Sequence, residues 1–209
     1  MKRTIVALML FAGLGTAARA GDATLAKVQG RVGILPKGQT RYVLAKGGES
    51  LSYGDRVKTH KDSVAQIALE GRGAVLVRGD SSFTITGDAD HTQLNFRFGE
   101  FLIGLRKALT ATQTFKVRTP AAVAAVRGTL FWGKSDESKT TTYAGFGHTI
   151  AVTAKGKTVL VHAGEKTTVA LGRAPAETAK HDIPVSYTDN FRIGGDLQNL
   201  ESLVDLPKP

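Results

Sequence analysis

The chain has 209 residues, a formal net charge of +10 at pH 7 and no cysteine. This length is enough to bury a hydrophobic core, and it suits one domain or one domain with a tail. Without cysteine the protein cannot form disulfide bonds or a thiolate metal centre, so its fold must depend on packing alone.

The first twenty residues have the features of a secretory signal peptide. Lys2 and Arg3 give a positive start, residues 4–14 are mainly apolar, and Ala18-Arg19-Ala20 has the small-x-small pattern of a cleavage site. The apolar run is shorter than the roughly 20 residues that a membrane-spanning helix needs. We therefore predict a cleavable signal over residues 1–20, no membrane span after cleavage, and a periplasmic or secreted protein. The alternative is an uncleaved membrane anchor.

Short alternating segments separated by glycine turns follow the signal. Val28, Val32 and Ile34 share one parity, which is typical of a half-buried strand. Similar segments recur through residues 64–105 and 150–169 at intervals of roughly ten residues. The pattern predicts an all-β fold, either a compact sandwich or a β-solenoid-like stack of short antiparallel strands with glycine turns. No strict sequence period indicates a true repeat solenoid.

The chain changes character after residue 171. Residues 172–176 read Gly-Arg-Ala-Pro-Ala and are typical of a linker. We predict a short amphipathic helix beyond it, which Asp196 could cap and Pro207 would stop. This helix either covers a sheet edge or the end of the core, or docks a partner. Its four apolar residues at helical spacing are Leu197, Leu200, Leu203 and Val204. The predicted organisation is a signal over 1–20, a β domain over 21–171, and a linker with a tail over 172–209.

Basic residues outnumber acidic ones in the exported part of the chain. The predicted signal holds three basic residues and no acid, which leaves 25 basic and 18 acidic residues and a net charge of +7. A basic surface attracts anionic partners, such as wall polymers, lipopolysaccharide or acidic proteins, although it could serve solubility alone. Export, and the lack of a basic cluster interleaved with aromatic residues, disfavour nucleic acid.

The stretch from Phe115 to Phe131 resembles the signature of the FecR-type periplasmic domain, named for a regulator of ferric citrate uptake. A strand-like run leads to Thr-Pro, small residues, Val-Arg-Gly-Thr and an aromatic residue. The resemblance extends from about Val28 to Val169. The residues that carry it are Val28, Gly30, Val32, Gly48, Leu51, Gly54, Asp55, Val57, Thr59, Ala65, Ile67, Leu69, Gly71, Gly99, Glu100, Phe101, Thr119, Pro120, Val126, Arg127, Gly128, Thr129, Phe131, Ala163, Gly164 and Glu165.

The resemblance implies a periplasmic β domain that binds something. Members that regulate sigma factors carry an anti-sigma segment and a membrane helix before this domain, whereas this chain has a signal peptide there. It therefore resembles a stand-alone FecR-domain protein. We expect the signature residues to serve the structure, with Asp55 capping a turn and Pro120 marking a strand start or edge.

Three residues beside the signature turn are the candidates for binding: Arg118, Arg127 and Trp132. Arg127 could also hydrogen-bond carbonyls across the turn. Strand alternation places Phe131 and Trp132 on opposite faces, with Phe131 in the core. Trp132 is then either exposed or packed under the tail helix.

No motif for catalysis, a cofactor or a metal is present. The five histidines are far apart, and the sequence has no nucleophile elbow, phosphate loop, dinucleotide fingerprint or calcium loop. A glycosidase pair that uses Glu100 is conceivable, but nothing selects its members. We predict a non-enzymatic interaction or regulatory module of the bacterial cell envelope with an envelope protein as partner. The alternative is a binder of peptidoglycan or another anionic glycan.

Overall fold

The computed structural model describes residues 23–69, 72–105 and 109–184. The predicted signal peptide and the predicted C-terminal helix lie outside these ranges. The described residues form seventeen strands and no α-helix, so the prediction of an all-β fold is confirmed. In this part of the chain no helix has the length and apolar character required to cross a membrane.

One of the two sheets, here called sheet A, is entirely antiparallel. Its strands are β1 (Ala23–Gln29), β4 (Glu49–Leu51), β6 (Val64–Leu69), β7 (Gly73–Arg78), the second half of β9 (His91–Leu105), β12 (Leu130–Ser135), β13 (Thr141–Gly145), β16 (Glu165–Val169) and β17 (Ala179–Lys180). They lie in the order β4-β1-β6-β7-β9-β12-β13-β16-β17.

The other sheet, sheet B, is mixed. Its strands are β2 (Val32–Leu35), β3 (Val43–Leu44), β5 (Arg56–Thr59), β8 (Ser81–Gly87), the first half of β9, β10 (Thr114–Arg118), β11 (Val123–Val126), β14 (Ile150–Ala154) and β15 (Lys157–Val161). They lie in the order β3-β2-β5-β8-β9-β10-β11-β14-β15. We predicted antiparallel strands, and this is wrong for one pair: β10 runs parallel to β9. After β9 ends in sheet A, the chain returns to sheet B as β10. Thr114, the first residue of β10, lies opposite His91, the first residue of β9, so the two strands begin at the same end of sheet B and run in the same direction.

Strand β9 joins the two sheets and, at 15 residues, is longer than the short strands that we predicted. Its first half pairs with β8 in sheet B, and from Gly99 onward it pairs with β12 in sheet A. Gly99 has φ +122°, and a Cβ there would lie 2.1 Å from Oγ of Ser81. Any other residue would be strained at this position, so glycine permits the change of sheet.

The core lies between the two sheets. Alternate residues of β5, β6, β8 and β10 point into it, and β9 contributes from both of its halves. Its centre is a chain of four rings, in which Phe83 stacks on Phe96, Phe96 contacts Phe101, and Phe101 meets Phe131 edge to face. Burying each of these side chains stabilises the fold by about 1.5–3 kcal/mol.

A buried polar network accompanies this core. The hydroxyl of Tyr143 lies 3.0 Å from Oγ1 of Thr119, and the hydroxyl of Thr141 lies 3.0 Å from Thr119 and 3.1 Å from Ser135. Tyr143 is fully buried, and Thr119 also bonds the backbone of Ala122 in the β10–β11 turn. The network therefore ties a turn of sheet B to strands of sheet A.

Substitution of Gly133 by alanine should destabilise the protein by about 1–3 kcal/mol, the usual cost of overpacking a core. Gly133 pairs with Phe101, and a Cβ at Gly133 would lie 2.2 Å from Cζ of that ring. Urea unfolding measures the loss. The neighbouring Lys134→Ala is the control, because Lys134 is exposed. Equal free energies of unfolding for the two variants would contradict this packing.

Tyr143 should make stability depend on alkaline pH. Burial raises the pKa of its phenol well above the ordinary 10.0, although the hydrogen bond to Thr119 acts in the opposite direction. Above pH 10 the unfolded state therefore loses this proton while the folded state keeps it. Stability should fall by about 1.4 kcal/mol per pH unit from this group.

The variant Tyr143→Phe isolates this effect. It should cost about 1 kcal/mol at neutral pH through the lost hydrogen bond. Above pH 10 its free energy of unfolding should decline less steeply than that of the unmodified protein. Parallel declines from pH 9 to 11 would show that Tyr143 ionises normally in the folded state.

Candidate functional site

The outer face of sheet B carries a group of cationic side chains. They alternate with core residues: Phe115 and Val117 are buried, whereas Lys116 and Arg118 are exposed. The five residues Arg56, Lys58, Arg97, Lys116 and Arg118 are here called the cationic face.

Strand register places Arg118 in the middle of a row that crosses the sheet. Asn95 is its neighbour on β9, and Val123 is its neighbour on β11. In the next row Lys116 lies between Gln93 and Ala125. From one side of the sheet to the other, the Arg118 row reads Leu35, Arg56, Thr84, Asn95, Arg118, Val123, Thr153 and Thr158.

Uncharged polar side chains hold the surface between the cations in place. Nε2 of Gln93 donates to Oδ1 of Asn95 at 2.7 Å, and Nδ2 of Asn95 donates to Oγ1 of Thr86 at 2.7 Å. Closer to the edge, the hydroxyls of Thr153 and Thr158 lie 2.8 Å apart. These bonds, two of which cross between strands, fix rotamers, so a ligand would meet an ordered surface and less side-chain entropy would be lost on binding.

The acids near the cationic face lie at its ends: Asp88 pairs with His91 at the start of β9, and Asp80 and Asp136 line the groove that Lys58 borders. The strands of sheet B contain no Asp or Glu. The ion pairs found among the described residues include Arg78–Glu100, away from the face, and His91–Asp88, at the end of β9 in sheet B. Five positive charges on strands without acids produce a field that attracts anions and falls off within about 10 Å at 0.1 M salt.

Apolar side chains are exposed at both edges of the same sheet. Leu160 on β15 is 54% exposed, and Leu44 on β3 is 60% exposed. Tyr42, 44% exposed, lies against Gly33 beside the row that contains Lys58. Within the described residues β15 pairs only with β14, so its outer backbone groups can accept another strand.

The structure separates the three candidate binding residues. Arg118 belongs to the cationic face. Arg127 is exposed at the opposite end of the β10–β11 hairpin, about 13 Å away along the strand. Its side chain makes no hydrogen bond to any described residue, so the predicted bonds across the turn are not found; instead its carbonyl accepts one from the amide of Leu109 at 2.8 Å.

Trp132 lies in sheet A and is only 7% exposed, so the alternative of an exposed tryptophan is wrong. It does face away from Phe131, as alternation predicted, but the outer surface of sheet A is apolar and buried at this point. The indole Nε1 donates to Oε1 of the buried Glu100 at 2.9 Å, and Oε2 of Glu100 lies 3.4 Å from the Arg78 guanidinium. A binding role for Trp132 and Arg127 stays a prediction.

Glu100 and Arg78 also line a groove of about 860 Å³ where β9 changes sheets. Lys58 and Lys134 lie in its wall together with Asp80 and Asp136. Because both signs of charge occur there, the groove has no clear preference for anions or cations. In the part of the chain that the structure describes, no group of three or more His, Asp or Glu side chains could hold a metal ion.

Most of the signature residues occupy structural positions. The Asp55 carboxylate accepts hydrogen bonds from the amides of Lys37 and Ser52, both at 2.8 Å, and so caps the turn before β5. Thr129 donates to the carbonyl of His148 at 3.0 Å, and Glu165 accepts from the amide of His162 at 3.0 Å. Pro120 lies in the turn after β10 rather than at a strand start. The others are Gly30, Gly54, Gly128 and Gly164, all with positive φ, and the buried Val126 and Phe131.

Sequence reasoning selected Arg118 but missed the rest of the cationic face. A usable signal was present, because residues 81–87, 91–98, 114–118 and 150–161 contain no acid in a chain that has 18. However, the absence of acids from these segments does not show that they form a single surface until the order of the strands in the sheet is known.

The comparisons with known proteins agree with the fold. Residues 55–147 match the family described as FecR protein. Two crystal structures of a candidate anti-sigma factor from Parabacteroides distasonis ATCC 8503, at 1.65 and 2.50 Å resolution, are similar to this chain with a TM-score of 0.53 and 15% identity. The similarity covers 64% of this chain and 62% of that chain. No curated protein matches the sequence.

Family match and fold point to the same domain. The matched residues include Thr119, Pro120, Arg127 and Gly128, which carry the signature, and they run from the Asp55 turn to the end of β13. Residues 55–147 are thus similar in sequence to the FecR family, and the fold of the chain agrees with that similarity.

Proposed function

We propose that this protein is a non-enzymatic, exported FecR-domain protein that acts as an interaction or regulatory module in the bacterial cell envelope. The cationic face is the observation that carries the proposal. It is a broad ordered surface with five positive charges, no acid on its strands and a free strand edge beside it. The signal-like N-terminus and the family of the domain support an envelope location.

The partner that fits this surface best is an envelope protein with an acidic patch. Its carboxylates would pair with Arg118 and Lys116, and an extended segment of it could add to β15 by main-chain hydrogen bonds. Next to β15, the Lys116 row continues through the small residues Ala125 and Ala151 to Leu160. These small side chains leave room for a partner strand to place its own side chains on the sheet.

A second candidate function is the binding of peptidoglycan or another anionic envelope polymer. The exposed ring of Tyr42 lies at one side of the face, and amide and hydroxyl groups of Asn95, Gln93 and Thr84 lie among the cations. Carboxylates and sugar hydroxyls of a glycan could use both kinds of group. This candidate requires no free strand edge.

The double charge reversal Lys116→Glu/Arg118→Glu tests the cationic face. The tagged protein is crosslinked mildly in its own cells, captured and analysed by mass spectrometry, and binding to the enriched protein is then measured in solution. We expect the double variant to bind at least about tenfold more weakly, because like charges across an interface repel and steering is lost. Binding by the unmodified protein should weaken as salt rises.

The matched control is Lys139→Glu/Arg173→Glu, which makes the same change in net charge at two exposed residues outside the face. It should bind like the unmodified protein. If both double variants lose affinity equally, binding follows net charge and not the cationic face. If the unmodified protein enriches no envelope component and does not sediment with purified sacculi at low salt, the proposed function is wrong.

The variant Leu160→Asp separates the two candidate functions. It places a charge on the exposed edge strand, so it should weaken a protein that adds a strand to β15. Binding of a glycan to the centre of the face should change little. A sacculus-binding protein that is insensitive to Leu160→Asp but sensitive to Lys116→Glu/Arg118→Glu would establish the second candidate in place of the first.

A further inference from the structure

The middle of the outer face of sheet A is unlike the outer face of sheet B, because it is apolar and buried. Its six residues, here called the apolar face, form a cluster separate from the main core and are each at most 7% exposed. The outer faces of a two-layer sandwich normally meet water and carry polar side chains. The members of the apolar face are Ala74, Leu76, Leu102, Leu130, Trp132 and Ala144.

Register makes the apolar face continuous. Leu76 on β7 pairs with Leu102 on β9, Leu102 pairs with Trp132 on β12, and Trp132 pairs with Ala144 on β13. The row crosses four strands and is therefore about 14 Å wide. An apolar strip of this size on a sheet has to be covered, because leaving it in water would forfeit the free energy of its burial.

The chain after β17 leads to this face. β17 pairs with β16, and the amide of His181 donates to the carbonyl of Gly164 at 2.9 Å. The His181 ring packs 4.9 Å from the ring of Phe146, and Ile183 then packs against the apolar face itself. Phe146 and Ile183 are the partly buried apolar neighbours of the cluster among the described residues. The described chain ends one residue later, at Pro184.

We infer that the C-terminal segment, residues 185–209, covers the apolar face as a third layer. The segment begins at the face and has the apolar residues to bury there: Leu197, Leu200, Leu203 and Val204 at helical spacing. A helix over residues 197–204 is about 12 Å long and matches the width of the row. The 12 residues from 185 to 196 are more than enough to reach it.

The border of the face carries both signs of charge, because Glu100 lies opposite Lys134 and Asp182 lies 3.9 Å from Lys166. Lys166 follows Ala144 in the row, and Lys134 lies on β12 two residues beyond Trp132. Residues 185–209 contain four acids and two basic residues. The segment is therefore mildly acidic, but its match to the strip depends on its apolar residues and not on charge.

The fluorescence of Trp132 can show whether the C-terminal segment covers the apolar face, because Trp132 is the only tryptophan of the chain and belongs to that face. In the complete protein, Leu200→Asp/Leu203→Asp puts two charges on the docking side of the predicted helix. We expect the emission of Trp132 to shift to longer wavelength and its quenching by acrylamide to increase. The control Gln198→Asp/Ser202→Asp adds the same charge to the opposite side of that helix and should leave both quantities unchanged.

A second measurement keeps the test valid if the leucine variant unfolds. The chain has no cysteine, so a single nitroxide label can be placed at Glu201→Cys. It should quench Trp132 fluorescence, whereas a label at Thr158→Cys, on the outer face of sheet B, should not.

Two results overturn the inference. One is unchanged Trp132 emission and quenching in Leu200→Asp/Leu203→Asp. The other is equal quenching by the labels at 201 and 158. In either case the apolar face is covered by something other than the C-terminal segment, such as residues 1–22 or a partner.

Discussion

The passage of β9 from one sheet to the other is the constraint on which the rest of the structure depends. Because Gly99 admits a conformation closed to other residues, a single strand lies at the centre of both layers. The same strand supplies Phe96 and Phe101 to the ring cluster, Asn95 to the outer surface of sheet B, and Leu102 to the outer surface of sheet A. Core, cationic face and apolar face are therefore fixed relative to one another by fifteen residues.

In both sheets the side chains alternate between the core and the outer face, but the outward positions hold different types of residue in the two sheets. In sheet B the central outward positions hold Thr, Asn, Gln, Lys and Arg, so the middle of this side is polar and cationic. In sheet A the outward positions of β7, β9 and β12 hold Leu76, Leu102 and Trp132, so this side is built for burial. The sandwich is therefore asymmetric, with one outer side polar and cationic in its middle and the other apolar in its middle.

Much of the fold could be predicted from the sequence, because alternation and glycine turns are local signals. The strands, the core position of Phe131 and the FecR resemblance all depended on a few neighbouring residues. Pairing of β10 with β9 could not be predicted, since it brings Thr114 beside His91 across a change of sheet. The burial of Trp132 was undecidable for a similar reason: its surroundings come from β7, β9 and β13, which are distant in sequence. Arg118 was selected by its place beside a motif, and its cationic neighbours became visible only through strand order.

The central place of β9 also affects the order in which the protein can assemble. Synthesis delivers β7 and β8 before residues 91–105, and each of them needs β9 as a neighbour. A nascent chain that ends before His91 therefore presents two unsatisfied strand edges, one from each layer, and such edges template aggregation. Productive folding has to wait until this single segment emerges. The half-made chain is thus the form most in need of a chaperone.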